Sequence, residues 1–212
     1  MLPCVKGRNT FALFAPGSSG VEKPRVRQRS MIYSHFWQKG GSMEVKVIRI
    51  TGLLEMDIAC GYTVGHPVDV RNRYRLYKSE HSPVRSQIFR IETENIKTFA
   101  SVHMVRHKIG VEHFVRSNRE DRGGDAKANR DTPIEHLMHA NAQALITMGR
   151  KRLCFQASDE TRLWMEEIKR KVSDVDPDLG RAMVPDCEYR GGFCWEFSNC
   201  GLAPRHKDWS QT

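Results

Sequence analysis

The sequence lacks the motifs that mark the commonest nucleotide-binding and hydrolase folds. It contains no G-x-G-x-x-G, no P-loop and no G-x-S-x-G, which excludes the usual dinucleotide folds, the P-loop NTPases and the α/β-hydrolases. It also has no apolar run near the roughly 20 residues that a membrane-spanning helix needs. We therefore expect a soluble protein without a membrane partner, and 212 residues suffice for one domain with its own core.

Cysteine is sparse in this chain. The six cysteines are spread too unevenly for a disulfide scaffold, which favours a reducing cytoplasm. Cys187, Cys194 and Cys200, with Cys154 as a fourth candidate, could bind zinc. Their spacing is not the paired C-x-x-C of typical zinc sites, so reduced structural thiols remain the alternative.

Acidic residues are scarce only near the N-terminus. The formal net charge is +9; residues 1–42 hold seven Lys or Arg and one acid, a net +6, whereas the rest of the chain has 27 basic and 24 acidic residues, a net +3. A segment whose basic and acidic residues are so nearly equal in number is a poor candidate for a dedicated nucleic-acid-binding domain. We therefore expect no specific nucleic-acid partner. A basic nucleic-acid-binding protein, with its affinity in residues 1–42, stays open as a rival of a different class.

Residues 1–42 also lack helical or strand periodicity and are rich in Gly, Pro, Ser and Arg, so we expect a disordered basic extension. A basic leader with few acids faintly resembles a targeting peptide. The interpretation we favour is that Met43 is the functional start, because a β-branched strand pattern opens abruptly there. Residues 43–205 are then a single domain with a cysteine-containing C-terminal tail.

The remaining periodicity predicts both strands and helices. Residues 45–50 carry four β-branched side chains and predict a first strand, and the alternation of residues 111–115 predicts another. Thr93 is suited to cap a helix whose C-terminal end carries a basic triplet. That triplet is Arg106, His107 and Lys108. Further helices are predicted at residues 68–77 and between a cap at Ser158 and an end at Asp176-Pro177.

Another helix is predicted to start at Thr132, with Pro133 in its first helical position and Glu135 three residues after the cap. On this helix Asn141 and Arg152, eleven positions apart, lie on nearly the same side and roughly 16 Å from each other. A buried amide or guanidinium needs a partner. That partner is either a buried carboxylate or a ligand.

The segment around the basic triplet holds more potential chemistry than any other part of the chain. Cations are favoured at a helix C-terminus whether or not a ligand is present. After the predicted strand come a hydroxyl and a further guanidinium, Ser117 and Arg119. Because guanidinium forks bind phosphate oxygens in bidentate fashion, the segment could hold a phosphorylated ligand. A solvated basic face is the alternative.

This segment resembles the signature of the flavin-dependent thymidylate synthases, which reads Arg-His-Arg, seven intervening residues, Ser, and an Arg two residues further on. The basic triplet matches it with Lys in the third position, and Ser117 and Arg119 match after one inserted residue. Upstream, Ser82-Pro83 matches the family's His-x-Ser/Thr-Pro element, with Glu80 in the place of the His.

A second part of the resemblance lies further along the chain. Asn141 is followed eleven residues later by Arg152 and then by an Ala-x-x-Glu-x-Arg run that ends at Arg162, as in the helix with which the family contacts flavin and nucleotide. The cysteine-containing tail is similar to that of a subset of the family. The two motifs stand in the family's order.

The resemblance implies an α+β fold, with an antiparallel sheet flanked by helices like that of the thymidylate-synthase-complementing proteins. It also implies a cytoplasmic homotetramer whose active sites are built from several subunits. Such enzymes bind FAD, use NADPH as reductant, and transfer the methylene of methylenetetrahydrofolate to dUMP to give dTMP. A relative that acts on another pyrimidine nucleotide, or that binds flavin without turnover, stays open.

The same resemblance assigns roles to individual residues. Ser117 and Arg152 are the candidate catalytic residues, and Ser117, Arg119 and Arg152 would bind the substrate nucleotide. The residues that would bind FAD are Ser82, Arg106, His107, Lys108 and Asn141.

Overall fold

Four strands form one antiparallel sheet in the computed structural model, which describes residues 41–125 and 127–206. The strands are β1 (Glu44–Arg49), β2 (Ile88–Lys97), β3 (Val111–Val115) and β4 (Pro133–Asn141), in the spatial order β1-β2-β4-β3. The expectation of an α+β fold with an antiparallel sheet and several helices is confirmed at that level. The predicted disorder of residues 1–42 falls, except for its last two residues, outside the described residues.

Seven α-helices and two short 3₁₀ turns accompany the sheet in the described part of the chain. The helices are α1 (Leu54–Val64), α2 (Arg73–Ser79), α3 (Thr98–Met104), α4 (Ala142–Arg152), α5 (Asp159–Val175), α6 (Pro177–Ala182) and α7 (Asp186–Tyr189). The 3₁₀ turns are Ser82–Ser86 and Glu120–Arg122.

The two faces of the sheet differ in burial. Along β4, His136, Met138 and Ala140 are buried, whereas the intervening side chains are exposed or half-buried, the alternation expected of a strand with one covered face. Helix α5 packs against β1 and β2. The indole Nε1 of the fully buried Trp164 on α5 donates to Thr93 Oγ1 of β2 (3.0 Å), which ties this helix to the sheet.

Both short strands predicted from the sequence are confirmed, at Glu44–Arg49 and Val111–Val115. Helix α5 is confirmed as well, and Asp176 follows its last residue as predicted. Ser158 stands at its N-terminus but makes no side-chain bond to the main chain there, because its Oγ pairs with Thr161 Oγ1 (2.8 Å). Helix α2 is shorter than the predicted 68–77 and begins after Asn72, whose side chain accepts from the N–H of Arg75 (3.2 Å).

Two predicted helix starts are wrong. Thr93 is a buried residue of β2, and the helix that precedes the triplet begins at Thr98 instead. That helix ends at Met104, so the triplet lies in the loop after it and not on the helix end. Thr132 does not cap a helix either, because Pro133–Asn141 is the strand between β2 and β3. Pro133 occupies the first position of that strand, where a missing N–H is tolerated. Pairing with both neighbouring strands outweighs the local helix signal.

Candidate functional site

The loop between α3 and β3 lies along helix α4. At one end Arg152 donates from Nε to Nε2 of His107 (2.9 Å) and from Nη2 to the carbonyl of His103 (2.8 Å). At the other end the N–H of Asn141 donates to the carbonyl of Gly110 (2.9 Å). The two segments singled out in the sequence therefore meet within one chain.

Asn141 shapes the loop at its far end. Its Oδ1 accepts from the N–H of Ala144 (2.9 Å) and so caps α4. Its Nδ2 lies so close to Gly110 that a Cβ on that glycine would stand 2.5 Å away. Gly110 also has a φ of +74°, which L side chains rarely adopt. The amide predicted to need a buried carboxylate or a ligand thus has a local partner in its own helix.

Arg152 has no carboxylate partner among residues 41–125 and 127–206. Its two bonds go to an imidazole and a carbonyl, and they occupy only part of the guanidinium donor fork. Burial and the neighbouring Arg106 lower the pKa of Arg152. A half-buried cation beside another cation, without a compensating anion in the described chain, attracts an anionic or carbonyl-bearing ligand.

Positive charge converges on the end of α3. Burial and the guanidinium groups of Arg106, Arg152 and Arg130 all lower the pKa of His103, and only Glu160 opposes them. Burial, then Arg152 and His113, lower the pKa of His107 to about 4. Both effects favour neutral imidazoles. The positive charge of the site at neutral pH therefore comes from Arg and Lys.

A cavity of about 250 Å³ opens beside the contact between Arg152 and His107. Lys151 and Cys154 also line it, as does Glu196 from the C-terminal segment. Glu196 accepts a hydrogen bond from Lys151 Nζ (2.6 Å), so the tail reaches the rim of the cavity. Typical small-molecule sites span about 300–1,000 Å³. This cavity is therefore smaller than a typical site for a whole small molecule.

A histidine pair behind the loop was not predicted. His113 Nε2 lies 2.8 Å from the carbonyl of His107, and its Nδ1 lies 2.9 Å from His136 Nε2. His136 Nδ1 lies 2.9 Å from Ser101 Oγ. The alternation of residues 111–115 correctly predicted that His113 lies on a strand. The wrong prediction of a helix from Thr132 meant that His136 was not recognised as a residue of the neighbouring strand.

Ser117 and Arg119 lie in the chain that follows β3, apart from Arg152. Ser117 Oγ accepts from the N–H of Arg119 (3.3 Å). The Arg119 fork binds both carboxylate oxygens of Asp121, at 2.9 and 2.7 Å. Within the described residues no contact joins this pair to the cavity. The predicted site residues therefore form two groups in one chain.

Ser82 begins the first 3₁₀ turn and is exposed. Nearby, the carboxylate of Glu80 pairs with Arg150 and accepts a hydrogen bond from Gln143, both on α4. Arg150 also lies over the ring of Tyr189, 3.6 Å from its centroid. The segment before the turn is therefore fixed to the same helix that carries Arg152. Arg106 and Lys108 are exposed at the surface of the loop.

The zinc prediction finds no support in the part of the chain that the structure describes. There, no three His, Cys, Asp or Glu side chains are placed to hold a metal ion, and Cys187, Cys194 and Cys200 are free thiols. Burial is the main cause that raises the pKa of both Cys154 and Cys187. These two cysteines are thus kept as thiols at neutral pH.

No family model matches this chain, and neither does any curated protein. Among the helices of residues 41–125 and 127–206, none has the length and apolar character needed to cross a membrane.

Proposed function

We propose that this protein is a flavin-dependent thymidylate synthase that uses FAD, NADPH and methylenetetrahydrofolate to convert dUMP to dTMP in the cytoplasm. The contact between Arg152 and His107 carries the proposal. These residues lie 45 positions apart and come from two separate stretches that each resemble the family. The two stretches meet at Arg152, a cation with no carboxylate partner in the described residues, as a ligand site shared by both stretches requires.

The residues present fit part of a flavin dinucleotide. Its pyrophosphate is anionic, and the exposed side chains of Arg106 and Lys108 offer it a fork and a point charge. The cavity of about 250 Å³ is too small for the whole molecule. We propose a homotetramer together with this function, and the mismatch supports it, because further copies of the chain would supply the missing walls and bring Ser117 and Arg119 to the site.

Bound FAD would supply the redox chemistry. In the chain itself, the unused donors of Arg152 are suited to orient a pyrimidine carbonyl and stabilise negative charge developing on it. His107 orients Arg152 and does not abstract a proton from the substrate, because its Nε2 lone pair already accepts a hydrogen bond from Arg152. Arg119 is available for a phosphate, because its exposed pair with Asp121 is worth only about 0–1 kcal/mol.

The test begins with the absorbance spectrum of the purified protein before and after addition of FAD. A flavin band that stays with the protein, tetramer mass in solution and tritium release from labelled dUMP are the expected results. Tritium release from labelled dCMP instead would mean that dCMP, not dUMP, is the substrate. A colourless protein that takes up no FAD but binds DNA with steep salt dependence would refute the proposal and favour a nucleic-acid-binding protein.

A matched pair of variants links the activity to the site. Arg152→Lys keeps the charge but loses the fork that reaches His107 and His103, so tritium release should fall at least tenfold. Arg170→Lys, in an exposed ion pair with Glu167 on α5, should leave it unchanged. Equal activities in the two variants would remove Arg152 from the mechanism.

A further inference from the structure

A chain of hydrogen bonds runs behind the site through three elements. It links Ser101 of α3, His136 of β4 and His113 of β3, and it ends on the main-chain carbonyl of His107. The separations are 2.9, 2.9 and 2.8 Å. Ser101 and His136 are only 2 % and 1 % exposed. Buried polar groups of this kind cannot exchange partners with water, so each bond has a defined direction.

The direction of the last bond follows from its acceptor. A carbonyl only accepts, so His113 donates from Nε2. One proton lies between His113 Nδ1 and His136 Nε2, and another lies between His136 Nδ1 and Ser101 Oγ. Burial, with a smaller contribution from His113, lowers the pKa of His136 to about 4, which keeps that ring neutral at pH 7.

The ring of His107 takes the opposite tautomer. Its Nε2 accepts from Nε of Arg152 (2.9 Å), so the proton of the neutral ring is on Nδ1. The main chain of His107 is thus held from β3 while its ring is held from α4. These two contacts fix a residue whose sequence neighbours, Arg106 and Lys108, are exposed.

We propose that His113, supported by His136, is a positioning residue: it holds the main chain of His107 so that Nε2 of that ring faces Arg152 and fixes the guanidinium in the site. The positioning stands on the contacts of the chain alone. Its effect on flavin binding rests on the proposed function.

Two substitutions at position 113 separate the two bonds of the ring. The amide of His113→Gln reaches the position of Nε2 and keeps a donor for the carbonyl of His107. The amide of His113→Asn reaches the position of Nδ1 and keeps only the acceptor for His136. His139→Gln is the control, because His139 lies on the opposite face of β4 from His136, against Phe114.

The first readout is the tautomer and ionisation of His107, followed by nitrogen NMR as pH is changed. Arg152 from α4 and His113 from β3 act on this ring, and Lys151, Cys154 and Glu196 line the same cavity. In wild type and in the Gln and control variants, His107 should carry its proton on Nδ1 and ionise near pH 4. In His113→Asn, the ring should show mixed tautomers and a midpoint that moves toward 6.5.

An Nε2-protonated His107 in the wild type would overturn the proposal. So would an unchanged His107 in His113→Asn, or equal changes in both variants at position 113. The second readout is FAD affinity, which should fall about tenfold in His113→Asn, the size of one lost hydrogen bond, and less in His113→Gln. If the wild type takes up no FAD, the proposed function fails, while the NMR result still decides the positioning role.

Discussion

Acidification should destabilise this protein through one buried side chain. His136 is 1 % exposed, and burial is the main cause that lowers its pKa from 6.5 to about 4. Between these two values the unfolded chain takes up a proton on this ring that the folded chain excludes. The free energy of unfolding therefore falls as the pH drops below 6.5, and the loss is largely complete near pH 4.

The difference between the folded and unfolded pKa values of His136 corresponds to a loss of about 3 kcal/mol between pH 7.5 and pH 4. At about 1–3 kcal/mol per molar urea, the midpoint of unfolding should fall by about 1–3 M from this residue alone. His107 has a similarly lowered pKa but is only half-buried, so solvent screening makes its contribution smaller.

The assay is urea unfolding at both pH values, followed by circular dichroism, for the wild type and His136→Gln. Carboxylates that titrate near pH 4 affect both proteins, so the comparison isolates the imidazole. The loss between the two pH values should be about 3 kcal/mol smaller in the variant. Ile134→Val, a non-titrating change at a buried position of the same strand, should lower stability by about 1 kcal/mol at both pH values. An equal pH dependence in the wild type and His136→Gln would refute the reasoning.

Three further predictions concern local contacts. Gly110→Ala should cost about 1–3 kcal/mol in urea unfolding and more than Gly65→Ala, because both glycines have positive φ but only a Cβ at position 110 meets Asn141; equal costs would contradict the contact. Asp176→Asn should cost about 3–5 kcal/mol, since this buried carboxylate pairs with Arg49 and accepts from Tyr77 Oη (2.7 Å), whereas Asp121→Asn, in an exposed pair, should cost less than about 1 kcal/mol. Cys200, which is exposed, should react with a thiol reagent much faster than buried Cys60, whose pKa is raised by burial and Asp57, as mass spectrometry of the modified peptides would show; similar rates would contradict this burial.

Local sequence patterns predicted the elements whose pattern and packing agree. The β-branched run of β1 and the amphipathic α5 are examples. At Thr132 the two disagreed. A Thr, a Pro and a Glu in helix-start spacing were followed by the alternation of a strand, and Ile134, His136 and Met138 all face the core. A strand paired on both sides gains more from its neighbours than a cap contributes.

The same error limited what could be predicted of the site. The meeting of Arg152 with the triplet was expected from the resemblance, across a subunit boundary, and the contact lies within one chain; this expectation did not depend on where α4 begins. The role of His136 did depend on it, because its partner His113 is a neighbour only when residue 136 lies on a strand. Asn141 was recognised as a polar residue in need of a partner, but as a cap it satisfies that need within α4.

Glu80 is held by contacts that a neutral side chain at the same position would not make. Its φ of 53° places it in the left-handed region. Its carboxylate is held by Arg150 and Gln143 of α4, and the guanidinium of Arg150 lies over the ring of Tyr189. A neutral imidazole at position 80 would remove the carboxylate that pairs with this half-buried guanidinium and leave Asp186 as the acidic group acting on it. Position 80 is therefore coupled to α4, two residues from Arg152.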